Sequence, residues 1–424
     1  MLTGWLCAEK IPNLLILYNK KVPSGKDLVY DYIEHHGLST NVMLGLDLST
    51  RESISIEDYK SCFEQQLSRR FEENRPDVIL TVYGLPLWVE DDERLRAFDQ
   101  LLVLGEGAMK LDERLILNPL LQNPKSEFSS HLVKVARLDG PSLKQAKVVL
   151  SQWKKMHRMG CWRRFGLSGI DKDLPQLMKQ RGFWVEEKPA LNLMPLNELQ
   201  FLNCHQGQVR ELLELHAKEV LAPGSMILRY HSSSFRDGDF RSLGESDASA
   251  ASMMGASFYV GAQKTQRPEE DLFDPLLFFL KFSKGDSFVD AAYHAMPNLA
   301  GSLLLIGDPL ARPYAAPSIE RQRQFFERNQ LKDPSVEELK EFNLAKDWWL
   351  MREYFEMWNE GKIDLVLANL KMAIIKRRSP LFFERLSHCY KQLGRQEEMK
   401  PWLGKWPKQN RSPWEKHVLE LLGY

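Results

Sequence analysis

Residues 303–315 read LLLIGDPLARPYA: four aliphatic residues run straight into Gly-Asp-Pro. Such a run is a buried strand, and its polar exit marks the strand's carboxyl end. Gly307 allows a close backbone approach, Asp308 can bond the turn through its carboxylate, and Pro309 and Pro313 fix the departing chain. In an open α/β sheet, ligands gather at such ends. The polar residues just beyond the other apolar runs therefore become candidates as well.

Similar runs recur upstream. They are LLILYN (14–19), NVMLGLDL (41–48), DVILTVYGLP (77–86), HLVKVARLDG (131–140), FWVEE (183–187), LQFLNC (199–204), SMILRYH (225–231), ASFYVGA (256–262) and SLLLIG (302–307). Helical stretches alternate with them, the first from Ser24 and another from Ser142. In the second, Leu143, Ala146, Val149, Leu150 and Trp153 fall on one face. This alternation predicts an α/β fold of two parallel-sheet halves, residues 9–125 and 128–316, with strand ends gathered on one edge. The seam between them is NPLLQNPKSEFSS (118–130). Glu90-Asp91-Asp92-Glu93 reads as a solvated acidic loop.

After Pro317 the strand runs stop. Asp333-Pro334 predicts a helix start, and residues 334–424 read as a helical region. A repeat of about 33 residues pairs Leu350 with Phe383, Met357 with Tyr390, Gly361 with Gly394, and Leu370 with Leu403. It resembles tetratricopeptide repeats, although Val366 and Met399 stand where a small residue is expected. The resemblance implies a protein or peptide partner, and an exposed groove lined by Trp348, Trp349 and Tyr354 would favour a peptide-binding role.

Composition excludes several classes. The chain has 424 residues, 43% hydrophobic and 27% charged, with 57 Lys+Arg against 57 Asp+Glu. That balance carries no electrostatic footprint for nucleic acid. No apolar run is long enough to span a membrane. Residues 1–8 are apolar; read as the tail of a leader they imply export to the cell envelope, and otherwise a cytoplasmic protein. Gly25-Lys26 lacks the rest of a phosphate loop, with Lys20 and Asp27 at the deciding positions. The five cysteines form no C-x-x-C pair, and His35-His36, adjacent on a helix, are expected to diverge. No metal and no cofactor is expected.

The polar residues past apolar runs are Tyr83-Gly84, Arg137 with Asp139-Gly140, His205 with Gly207, His231 with Ser232–Ser234, and Asp308. The segments VILTVYGLPL, VARLDGPSL, YHSSSF, MMGASFYVGA and LIGDPLARPY together resemble a bacterial family known chiefly by sequence. That resemblance spans residues 10–316. More distantly, the second half resembles gingipain-type cysteine peptidases of the caspase-like fold, in which Gly-Asp-Pro closes the last strand. Their His-Gly position maps here onto His205 and Gly207, and the nucleophile position onto His231 or Ser232. The catalytic thiol is missing, because no cysteine occurs between Cys204 and Cys389. Cys204 cannot replace it, since adjacent residues on a strand point to opposite faces. The resemblance thus implies a degenerate peptidase-like body that binds or scaffolds without catalysis. The rival is a hydrolase using His205, His231 and Ser232. A third class, a small-ligand or metal-binding protein, would use Asp139 and Asp308 in the same crevice, where Arg137 and Gly207 are further binding candidates.

Overall fold

A computed structural model describes residues 12–91, 94–104, 118–122, 132–166, 173–186, 195–203, 208–216, 220–233, 247–264, 273–299, 302–328, 331, 334–377, 379–405 and 412–421. His205, Gly207 and Cys204 lie outside these residues.

The strands are β1 (Leu14–Asn19), β2 (Met43–Leu46), β3 (Ser53–Ser55), β4 (Val78–Val82), β5 (Trp88–Asp91), β6 (Arg94–Ala97), β7 (Lys134–Leu138), β8 (Arg164–Gly166), β9 (Val185–Glu186), β10 (Leu199–Asn203), β11 (Met226–Ser233), β12 (Phe258–Lys264) and β13 (Ser302–Ile306). Ten of them form one mixed sheet in the order β2-β1-β4-β7-β13-β12-β11-β10-β8-β9. β3, β5 and β6 form a small separate sheet. Glu90 and Asp91 therefore belong to a strand rather than to a loop, and Asp91 pairs with Arg96 at 2.8 Å.

The large sheet is two parallel blocks meeting at one antiparallel pair. Each neighbouring pair from β2 to β13 is parallel, and so is each from β12 to β9, but β12 and β13 run antiparallel. The expectation that all strands of 128–316 share one direction and one edge is thus overturned. An apolar run encodes burial and not direction; direction is set by the connection. β7 and β13 join the block of β1 and β4, so the ends of β4, β7 and β13 share an edge. The ends of β10 and β11 lie on the opposite one.

Burial follows from the sequence. β4 is buried along its whole length, as a strand covered on both faces must be. One of the covering helices, Leu143–Met159, buries Ala146, Val149, Leu150, Trp153 and Met156 along a single face. Gly307 sits where a Cβ would meet Phe288 at 2.4 Å and Phe258 at 2.7 Å, so only glycine lets β13 leave the sheet there.

The chain then continues as helices Ala316–Glu327, Val336–Asn359, Ile363–Arg377, Pro380–Gln392 and Pro413–Leu421. The helix expected at Asp333-Pro334 starts instead at Ser335. There Ser335 and Glu338 form a reciprocal capping box, which satisfies two otherwise orphaned N–H groups. Phe383 and Tyr390 are buried, while Leu350, Met357 and Leu403 are half-buried. Trp348, Trp349 and Tyr354 are all buried, so they line no open groove. Among the described residues no helix is long and apolar enough to cross a membrane.

Candidate functional site

The edge shared by β4, β7 and β13 holds two buried polar clusters. The first is built on Arg137 at the end of β7. Its Nε donates to Asp99 Oδ2 at 2.6 Å, Nη1 to Asp139 Oδ2 at 2.8 Å, and Nη2 to Asp99 Oδ1 at 3.1 Å and the Pro86 carbonyl at 2.5 Å. Thr81 donates to Asp99, and the Gly140 N–H donates to Asp139 Oδ1. Burial raises the Asp99 carboxyl against the pull of Arg137. Arg137 and Asp139 are both fully buried. Chemically this is an internal brace between strand ends: a guanidinium whose donors are spent on two carboxylates and a carbonyl.

The second cluster is built on the Gly-Asp-Pro exit of β13. Asp308 is fully buried. Its Oδ1 accepts from Tyr32 Oη at 2.8 Å and from the Leu310 N–H at 3.0 Å. Its Oδ2 lies 2.7 Å from His157 Nε2 and 3.1 Å from His36 Nε2, the second in ion-pair range without hydrogen-bond alignment. Burial alone would raise this carboxyl, but His36 and His157 outweigh it and hold it well below the usual carboxylate range. Burial, followed by Asp308, pushes the Tyr32 hydroxyl well above its usual value.

His35 completes the group. Its ring centroid stands 4.8 Å from that of His36 and 5.1 Å from that of His157, and His36 and His157 are also 5.1 Å apart. Burial, then the neighbouring His36 and His157, push His35 down to about 3, so its imidazole is neutral at physiological pH. Adjacency on a helix was expected to send His35 and His36 apart, yet they converge. The reason is local. Helix Pro23–His36 ends at these two residues, and Gly37 turns the chain in the left-handed conformation with φ of 63°. Both rings then close over the end of the neighbouring helix, where His157 lies.

A sequence signal for this site existed in two i, i+4 pairs. Tyr32 and His36 share one face of the first helix, and Trp153 and His157 share one face of the other. Tyr32 packs edge-on against Trp153, with ring centroids 6.1 Å apart. Which helix lies beside which is not written in either spacing.

His231 and Ser232 lie in β11, on the backbone block opposite in direction to β13. The structure therefore brings Arg137, Asp139 and Asp308 to one edge, and leaves the carboxyl end of β11 on the other. Of the cysteines, Cys62, Cys161 and Cys389 are buried. Burial pushes the Cys62 thiol up to about 11 and raises Cys161 and Cys389 as well, the opposite of nucleophile activation.

A third polar centre, unforeseen from the sequence, joins the sheet to the helical region. Arg164 of β8 is buried and pairs bidentately with Glu384, at 2.9 and 2.5 Å. Glu186 is 2.8 Å away and Glu198 3.5 Å. Trp184, Trp348 and Trp414 surround its guanidinium, with centroids 5.0–5.4 Å from it.

No protein-family model and no curated protein matches the chain. Among solved structures, the Arg-specific cysteine proteinase gingipain R (RGPB) is similar at 12% identity and a TM-score of 0.46, over 71% of this chain and 78% of that one. A complex of Porphyromonas gingivalis RgpB pro- and mature domains gives 11% identity and a TM-score of 0.45, over 71% of this chain and 80% of that one. A structure titled "Structure of Protease" gives 10% identity and a TM-score of 0.46, over 71% of this chain and 78% of that one.

Proposed function

We propose that this protein is a non-catalytic binding or scaffolding protein, with a degenerate peptidase-like body and a repeat-like helical region that holds a protein partner. One observation carries the reading. On helix Ile363–Arg377, Leu365, Ala368, Met372 and Ile375 are all exposed, while Val366, Leu367, Leu370, Ala373 and Ile374 are buried. The exposed four recur at spacings of three, four and three, which is one continuous apolar strip on the solvent side of a helix. Leu365, Met372 and Ile375 are each about half exposed, at 50%, 48% and 53%. Such a strip suits the apolar face of a partner helix, laid in at matching spacing. The buried tryptophans are spent on packing, so the aliphatic strip replaces the aromatic groove as the seat. The loss of the thiol at the inherited position, and the raised thiols of the three described cysteines, speak for binding over peptidase chemistry.

The test places a photo-crosslinking amino acid at position 372 of the full chain in its native host. A single protein joined at that position, and lost in the Leu365→Glu/Ile375→Glu double variant with unchanged circular dichroism, is the expected result. Labelling of Ser232 by a serine-reactive phosphonate that disappears in His205→Ala or His231→Ala would overturn this reading in favour of a hydrolase.

A further inference from the structure

The cluster around Asp308 has a composition and a shape that the binding role does not require. Three imidazoles and one carboxylate converge from segments distant in sequence: residues 35–36, 157 and 308. One donor atom from each of His35, His36 and His157 lies within 4.8 Å of the others. His35 Nε2 is buried with no hydrogen-bond partner, while His36 Nε2 faces Asp308 Oδ2 at 3.1 Å. A buried polar atom left unpaired costs about 1–3 kcal/mol, so the His35 nitrogen calls for a ligand that satisfies it.

From this geometry we propose a binding site for a divalent first-row transition metal of the zinc class, held by His35, His36, His157 and the Oδ2 atom of Asp308. The carboxylate is already divided for that task. Its Oδ1 is occupied by Tyr32 and the Leu310 N–H, which fix its plane and leave Oδ2 facing the imidazoles. Outer-shell bonds of this kind are what orient metal ligands. For metal–donor bonds of about 2.0–2.2 Å, donors in a tetrahedron stand about 3.3–3.6 Å apart. Oδ2 is now 3.1 Å from His36 Nε2 and 2.7 Å from His157 Nε2. Binding would bring the imidazole donors closer together and move Oδ2 slightly away from His36 and His157. Three imidazoles and one carboxylate form a nitrogen-rich, borderline donor set. It suits zinc, cobalt or nickel better than magnesium or calcium, which prefer all-oxygen shells.

With four protein donors the site is closed, the pattern of a structural metal rather than a catalytic one. It would tie the end of helix Pro23–His36, the end of helix Leu143–Met159 and the exit of β13 to one point. Metal binding then adds directly to folding stability, because the unfolded chain holds no such site.

The experiment uses the full chain, stripped with a chelator and then titrated with Zn2+ in a calorimeter and with Co2+ in a spectrophotometer. The expected result is one equivalent of Zn2+ bound, a raised melting temperature, and the strong visible absorption of tetrahedral Co2+. His35→Gln and His157→Ala should each weaken Zn2+ binding by at least about 100-fold, more than the ~10–100-fold typical of outer-shell changes. His417→Ala, in helix Pro413–Leu421, should bind as the parent does. If His157→Ala fails to fold, His35→Gln decides, since His35 Nε2 makes no hydrogen bond that the substitution would remove. Absence of binding at one equivalent, or equal binding by His35→Gln, would overturn the proposal.

Discussion

Replacing Glu384 by alanine is the sharpest test of how the helical region is held. Arg164 is 1% exposed and Glu384 8%, so their bidentate pair is shielded from water. Removing one partner of a buried pair typically costs about 3–5 kcal/mol, because the surviving charge stays buried without compensation. Here Glu186 and Glu198 remain near the guanidinium at 2.8 and 3.5 Å. Both are partly exposed and neither offers a second bidentate contact, so the loss should fall near the lower bound, about 3 kcal/mol. Unfolding in urea is followed by tryptophan fluorescence, to which Trp184, Trp348 and Trp414 at this junction contribute. With a slope of about 2 kcal/mol/M, the fluorescence midpoint should fall by roughly 1.5 M. The paired replacement Arg164→Met/Glu384→Leu leaves only the partly exposed Glu186 and Glu198 without their partner and should lose less than Glu384→Ala alone. Two results would refute the reasoning. One is a Glu384→Ala loss below about 1 kcal/mol; the other is a double variant whose loss equals the sum of the two single losses.

Two further outcomes follow from buried groups elsewhere. Asp347 lies beside Arg377, yet burial prevails and raises its carboxyl to about 6. A raised carboxyl means that the folded state binds the proton more tightly. Its stabilising contribution is therefore full below the ordinary carboxylate range near 4 and is lost as pH rises through about 6. Denaturation midpoints measured from pH 4 to 7 should show this fall, by at most about 3 kcal/mol, and Asp347→Asn should flatten it. Gly307→Ala would press a methyl group into Phe258 and Phe288, at a cost of about 1–3 kcal/mol or more; an unchanged melting temperature would mean that β13 can leave the sheet another way.

Local pattern alone located most strands of the large sheet and the polar residues that close them. LLILYN is β1 residue for residue, and the aliphatic run before Gly307 is β13, because a strand buried on both faces must be continuously apolar. Asp308 was legible as a strand exit with its carboxylate turned to the backbone, and it does accept from the Leu310 N–H. The short strands β3, β5, β6 and β8 were not legible, since SIS, WVED, RLRA and RFG hold no sustained apolar run. The remainder came from packing between distant segments. The fold set β13 parallel to β7 and antiparallel to β12, a choice made by the connection and invisible in the strand itself. It brought His157 to His35 and His36 across more than a hundred residues, and it placed Arg164 among three tryptophans that come from three separate segments. Periodicity states which face of an element is buried; what that face meets depends on packing between distant segments, and no local spacing contains it.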